Sequence, residues 1–375
     1  MNKRIRAAKA YLSYPFLGAS GAGRRFGRVP YVPVDVADFV QSTFQAPQPF
    51  LRAKPIGRPA DASWDSDPPY SVTQNCVALI PGGSADHDGY VFDADGRPVH
   101  GACHPRKQML KYRWRTRRDG IAASYMQGAA HPRHFDGRLG VATATNQNCY
   151  YHWIFDMLPR LHLAMAEGLD RVYLQRKHPF QEASLAVLGV ADGLIVNTED
   201  EPWVSADELV VPCHQIMTGH HHPRWVVDWL RGHFLPLAGD APVARRRIFI
   251  SRSIARNRRL VNEDEIWAIL EPRGFEYVLA EKLPFAEQIA MFAGAEAVVA
   301  PHGAGLANLV FCAPGTRVVE LFPSMTMDAY YRLSIDLDLE YAFVKTRQFR
   351  LHRRVGENFT IGPGDFAAVL DHMRL

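Results

Sequence analysis

The chain has 375 residues, with 43 Lys and Arg against 39 Asp and Glu and a net charge of only +4, so overall electrostatics give no reason to expect a nucleic-acid partner. With 47% hydrophobic and 22% charged residues, its composition is that of a globular protein rather than a disordered or fibrous one. One core rarely serves such a length, and two domains are expected.

The cysteines, Cys76, Cys103, Cys149, Cys213 and Cys312, are odd in number, scattered and never spaced as CxxC. That argues against a disulfide framework and a structural zinc site, and for a reducing compartment. Residues 1–27 are basic and aromatic, with an apolar run too short to span a bilayer and broken by Pro15. Such a stretch suits either plain disorder or contact with a membrane surface.

Residues 28–70 are proline-rich and aperiodic, an extended lead-in without a readable fold. From Val77 to Ser124 the pattern suits β-hairpins, and "YVFDADGRPVH" predicts a strand, an Asp-Gly turn and a second strand. Asp93 and Asp95 form a DxD there, a spacing that can hold a metal; the turn explains the same residues without one and is preferred.

After Gly137 strands and helices alternate. "RLGVAT" predicts a strand, "NCYYHWIFDMLPRLHLAMAEG" a long helix ending at Gly168, and "RVYLQ" the next strand. A helix near 182–188, strands near Leu194 and Leu209, and a helix from Pro223 to Phe234 complete an α/β unit with a mostly parallel sheet. In the long helix His152, Asp156 and Arg160 recur every four residues, on one face. A carboxylate one turn from a histidine can fix its tautomer and raise its basicity; a solvent-facing stripe or a buried ion pair is the competing explanation. Consecutive histidines at 220–222 point in different directions and lack a ligand-spaced partner set, so no metal site is expected.

Residues 235–247 read as a linker, and beyond them the alternation restarts: strand "RIFISR", a helix from Asn262 to Gly274, strand "FEYVLA", helix "PFAEQIAMFAGA", strand "AVVA", a glycine loop and strand "TRVVELF". Asn262 with Glu265 has the form of a helix N-cap with a reciprocal acidic partner. The loop "RSIARNRRLVN" puts Arg252, Arg256, Arg258 and Arg259 between a strand and a helix start, where guanidinium forks suit phosphate. "HGAGLAN" adds Gly303, Ala304 and Gly305 after the next strand, with His302 as a donor and a helix N-terminus to follow; it lacks the third glycine of the dinucleotide fingerprint, so no nicotinamide cofactor is expected. Glu320, at a strand's carboxyl end, could accept from a ribose diol. Together these residues describe a nucleotide-diphosphate site.

The stretches "NCYYHWIFDMLPRL", "IFISRSIARNRRLVNEDE" and "GFEYVLAEKLPFAEQIAMFAGAEAVVAPHGAGLANLVFCAPGTRVVELFP", in this order, resemble glycosyltransferase family 61 over roughly residues 140–325. The resemblance implies two Rossmann-like domains facing across a cleft, the GT-B arrangement, preceded by a hairpin-containing extension. The divisions expected are 1–75 for the extension, 76–240 for the acceptor-side domain and 241–375 for the donor domain, with the last helix packing back on the first domain. It further implies an inverting, metal-independent transferase, with no cofactor, that moves a sugar from a nucleotide-sugar donor to a glycan acceptor in capsular or other cell-surface polysaccharide synthesis, in the cytoplasm or at the inner membrane face. Donor contacts would come from Arg252, Arg258, Arg259, Asn262, His302, Gly303, Ala304, Gly305, Asn308 and Glu320, and the base would be His152 or Asp156. A hydrolase using the His152/Asp156 pair and a non-catalytic nucleotide-sugar-binding scaffold are the alternatives.

Overall fold

The computed structural model describes residues 34–35, 40–44, 75–96, 99–100, 132–144, 146–212, 222–239, 245–323, 327–346 and 357–375. The basic N-terminal stretch, most of the proline-rich lead-in, Cys103, Cys213 and the first two of the three consecutive histidines lie outside these residues.

Two sheets organise the described chain, and both contain parallel strands with helices packed on them. The shortest pairing joins β1 (Val34–Asp35) in parallel to β6 (Val99–His100). The first large sheet takes β2 (Val40–Phe44), β3 (Asn75–Pro81), β7 (Arg133–Val141), β8 (Arg171–Leu174), β9 (Ile195–Asn197) and β10 (Trp203–Pro212), in the order β2-β3-β10-β7-β8-β9. Pairings β10-β7, β7-β8 and β8-β9 are parallel; β10-β3 and β2-β3 are antiparallel, so the sheet is mixed.

The hairpin forms one turn earlier than the sequence suggests. β5 (Val91–Phe92) pairs antiparallel with β4 (Ser84–Asp86), and Val99 pairs with Val34 rather than returning along β5. Gly89 makes the reversal at φ +77, and any side chain on it would collide with the backbone of Thr143 and Ala144. The Asp-Gly turn is present but closes on itself: Asp93 Oδ1 accepts the Asp95 N–H at 3.0 Å, and the Asp93 carbonyl accepts the Gly96 N–H.

The second sheet is wholly parallel, in the order β12 (Phe275–Val278), β11 (Arg246–Ile250), β13 (Ala295–Pro301), β14 (Arg317–Phe322), β15 (Glu340–Lys345). Its central strands carry the apolar runs 248–250, 297–300 and 318–319, as strands covered on both faces do.

The long helix around residues 150–165, α1, runs as an α-turn (Tyr150–His152), a π-turn (Trp153–Met157) and an α-helix (Leu158–Met165). Pro159 cannot donate a hydrogen bond and crowds the carbonyl one turn back; the widened turn before it accommodates this, with the Leu158 N–H reaching the Trp153 carbonyl. Every residue of the π-turn is buried, Asp156 included, so α1 is an interior helix rather than one with a solvent-facing polar stripe.

Among the described residues the remaining α-helices are α2 (Pro179–Val187), α3 (Arg224–Phe234), α4 (Glu263–Leu270), α5 (Phe285–Ala293), α6 (Ala329–Asp336) and α7 (Pro363–His372). A 3-10 helix spans Ala304–Phe311. One apolar core joins Trp153 and Phe155 of α1 and Phe234 of α3 to Phe285 and Phe292 of α5 and Phe311. The two sheets are therefore sutured by helices. Polar ties follow the same seam: Tyr150 Oη donates to Asn308 Oδ1 at 2.6 Å, and Arg231 donates to the Val310 and Cys312 carbonyls at 2.7 and 2.8 Å. On the opposite face of the second sheet, Phe366 and Leu370 of α7 pack with Phe249, Ile266 and Leu321, so the last helix completes the second sheet's core rather than returning to the first.

Candidate functional site

The parallel order of the second sheet brings the ends of β11, β12 and β13 to one rim. There a cavity of about 310 Å³ opens between the two halves of the chain. Tyr150, His178 and Phe180 wall it from the first half, and Arg252, Glu281 and Gly303 from the second. Of the sequence-predicted donor residues, Arg252, Gly303, Ala304 and Gly305 meet on this wall.

Gly303 has a φ of 176°, extended backbone open to any residue, so a turn does not explain this glycine. Close approach does. A Cβ built on Gly303 would lie 2.0 Å from Arg252 Nη1 and 2.6 Å from its Cζ. The guanidinium lies on the bare glycine, and Tyr330 Oη holds the loop by donating to the Gly303 carbonyl at 2.7 Å.

Arg252 is steadied from behind. Buried Ser251 contacts Glu263 Oε1 at 2.6 Å and the Tyr277 hydroxyl at 2.7 Å, anchoring the β11 end, while Arg252 Nη2 donates to the Asn257 carbonyl at 3.0 Å. Burial first, and then the charge of Arg258, pull the Arg252 guanidinium below its ordinary value; Glu281 opposes the shift. Arg258 sits at φ 58°, a left-handed conformation costing a non-glycine residue about 1–2 kcal/mol. The Nε atoms of both arginines are buried without a hydrogen-bond partner. Two like charges, half-buried, neighbouring and incompletely paired, with one in a strained backbone, form a place prepared for an anion.

Other predicted residues have different employment. Glu320 is fully buried: Oε1 meets His302 Nδ1 at 2.5 Å, and Oε2 accepts from the Tyr341 hydroxyl at 2.5 Å. With both oxygens engaged, the ribose role read from the sequence is not the arrangement present, and Glu320 instead holds His302, whose ring stacks on Phe322 at 5.2 Å. Asn308 is equally enclosed, accepting from Tyr150 and donating to Gln288 Oε1 at 2.9 Å.

Asn262 is the N-cap of α4 but makes no side-chain cap bond. Its amide donates to the expected partner Glu265 Oε2 at 3.1 Å and to the Ile361 carbonyl at 2.8 Å, and accepts the Ile361 N–H at 3.1 Å, fastening the chain ahead of α7. Arg259 is exposed, with its backbone paired to Asn358 and Phe359.

On α1, His152 Nδ1 and Asp156 Oδ2 are 2.6 Å apart, with the His152 side chain 24% exposed and that of Asp156 not at all. Burial pushes the Asp156 carboxyl up, and the bond from His152 counteracts this in part. Arg160 donates to the Pro212 carbonyl at 2.7 Å, and its charge also acts to lower the Asp156 carboxyl. The pair is thus a carboxylate-oriented histidine; His152 lies two residues from the cavity-lining Tyr150, though neither member is on the wall of the cavity itself.

His222 is in contact with the Tyr151 hydroxyl at 2.8 Å and stacks on Phe155 at 4.3 Å, a packing role. Sequence reasoning missed His178 and Glu281. Glu281 follows the "FEYV" strand at its carboxyl end, the same signal that singled out Glu320.

Residues 150–319 match the family model of Glycosyltransferase 61, the family the motifs resemble. The stretch opens at Tyr150 on α1 and closes one residue before Glu320, and so contains the cavity wall, both arginines and the glycine loop. Similar proteins include a rice (Oryza sativa subsp. japonica) beta-1,2-xylosyltransferase, 32% identical over 31% of this chain and 26% of its own. A Drosophila melanogaster EGF domain-specific O-linked N-acetylglucosamine transferase is 30% identical over 27% of this chain and 20% of its own. The matched region thus spans about a quarter or less of the length of these curated relatives.

Proposed function

We propose that the protein is an inverting glycosyltransferase that transfers a sugar from a nucleoside-diphosphate sugar to a hydroxyl of a glycan, in the synthesis of cell-surface or capsular polysaccharide. The observation that carries this reading is the pair Arg252 and Arg258, half-buried and incompletely hydrogen-bonded, with Arg252 seated against Gly303, within the stretch that matches the family. The donor diphosphate lies on these guanidiniums and on the start of the 3-10 helix at Ala304. As the acceptor oxygen attacks the anomeric carbon and the bond to phosphate breaks, negative charge gathers on the leaving diphosphate, where the arginines offset it without requiring a metal. His302, held through Nδ1 by Glu320, stands beside this loop as a further donor.

The acceptor's proton passes to His152. Asp156 holds Nδ1, leaving Nε2 to act as base. In this reading the two sheets are the halves of a GT-B pair, 76–240 on the acceptor side and 241–375 on the donor side, with the basic stretch 1–27 touching the inner membrane face.

The test is release of nucleoside diphosphate from UDP- and GDP-sugars, with and without glycan acceptors. Acceptor-dependent release is expected. Release at the same rate without acceptor would instead identify a hydrolase, and binding without release a scaffold.

A further inference from the structure

A diphosphate on Arg252 leaves the rest of the donor to be placed, and the cavity has one anionic side chain with nothing to hold. Glu281 lines it from the short turn Ala280–Lys282 after β12. Among the described residues it makes no hydrogen bond and no ion pair within 4 Å, and its charge is felt by Arg252. Glu320, the carboxylate the sequence suggested for a diol, has both oxygens taken. The opposite wall is aromatic: Tyr150 and Phe180 meet edge-to-face at 5.2 Å, with Phe285 beside them at 6.4 Å. The cavity therefore has a cationic end, an apolar wall and one acceptor-only group.

We propose that Glu281 binds the donor's vicinal hydroxyls while Arg252 binds its diphosphate, with the donor's less polar faces against Tyr150 and Phe180. This rests on the glycosyltransferase reading. A carboxylate is a poor neighbour for a diphosphate alone, because the two repel; it contributes only if hydroxyls donate to it. Two adjacent hydroxyls match its two oxygens, and a hydrogen bond to a charged group is stronger than one between neutral partners. Arg252 on the same wall offsets the charge that Glu281 brings. The hydroxyls belong either to the nucleoside's ribose or to the sugar being transferred, and the experiment separates these sources.

Isothermal titration would compare UDP and GDP, their 2′-deoxy forms and the corresponding UDP- and GDP-sugars on wild type, Glu281→Gln and Arg252→Ala. If the ribose is bound, Glu281→Gln weakens the better-binding nucleoside diphosphate tenfold or more, and the 2′-deoxy form is already weak in wild type and insensitive to the substitution. If the sugar is bound, the nucleoside diphosphate is unaffected and the sugar nucleotide loses tenfold or more. Unchanged or tighter binding of all these ligands by Glu281→Gln, with Arg252→Ala still defective, overturns the assignment of Glu281 and leaves the transferase reading standing. Failure of wild type to bind any of them overturns both.

Discussion

Replacing Gly303 by alanine perturbs the site at the point where backbone and guanidinium touch. With φ at 176° the backbone accepts alanine without strain. The new methyl would meet Arg252 Nη1, Cζ and Nε at 2.0, 2.6 and 3.1 Å, and it is the guanidinium that must leave, since it ends a flexible side chain. The fold loses only the Arg252 bond to the Asn257 carbonyl, about 1 kcal/mol. The ligand loses a charge-assisted contact to phosphate worth about 1.5–3 kcal/mol, which is roughly a 10- to 150-fold rise in Kd. Isothermal titration with the best nucleoside diphosphate, alongside urea unfolding, measures both. Gly305→Ala is the control, because its Cβ would meet only Ile250 Cγ2 at 3.4 Å. Affinity kept within twofold in Gly303→Ala, or an equal loss in Gly305→Ala, would refute the argument that this glycine exists to seat Arg252.

Asp156→Asn should leave nucleotide affinity within twofold while transfer falls by about 10²–10⁴, read as kcat under saturating donor; lost donor affinity would move α1 into the nucleotide site. The same substitution tests the raised Asp156 carboxyl. A group that binds its proton more tightly folded than unfolded contributes stability below the unfolded value, near 3.9, and loses it as pH rises through the folded one. The stability of Asp156→Asn relative to wild type should therefore improve as the pH rises above about 4; a flat difference in urea unfolding contradicts the shift. Tyr150→Phe strips Asn308 Oδ1, fully buried, of its donor and should cost about 1–3 kcal/mol in urea unfolding, and a neutral result means the seam does not depend on this bond. Tyr341→Phe should cost a similar amount, about 1–3 kcal/mol, by leaving Glu320 Oε2 buried and unpaired.

Much of the second half was legible because parallel strands buried on both faces leave apolar runs, and the loops between them must carry the polar chemistry. "RIFIS" and "AVVA" marked β11 and β13, and Gly274, at φ 74°, ended the helical run from α4 where glycine was expected. The arginine loop and glycine loop then fell at one rim by topology alone.

What could not be read was how polar side chains are spent. Glu320 and Asn308 look available in a one-dimensional text, but their partners, Tyr341 and Tyr150, are 21 and 158 residues away. Asn262 does pair with Glu265 as its cap signature suggests, yet its amide also closes on Ile361, 99 residues on, which the sequence could not show. The polar stripe of α1 was seen at its true spacing, but the π-turn before Pro159 buries residues that α-periodicity would have divided between two faces.

The central claim is a diphosphate site built from Arg252 and Arg258. Its most direct test is a thermal-shift series with UDP, GDP, CDP and ADP, in EDTA, on wild type and on the double variant Arg252→Ala/Arg258→Ala. A ligand bound only by the folded state raises Tm by mass action. The expected result is a rise with one of these nucleotides that survives EDTA in wild type and vanishes in the double variant. No rise with any of them, or an equal rise in both proteins, would contradict the account.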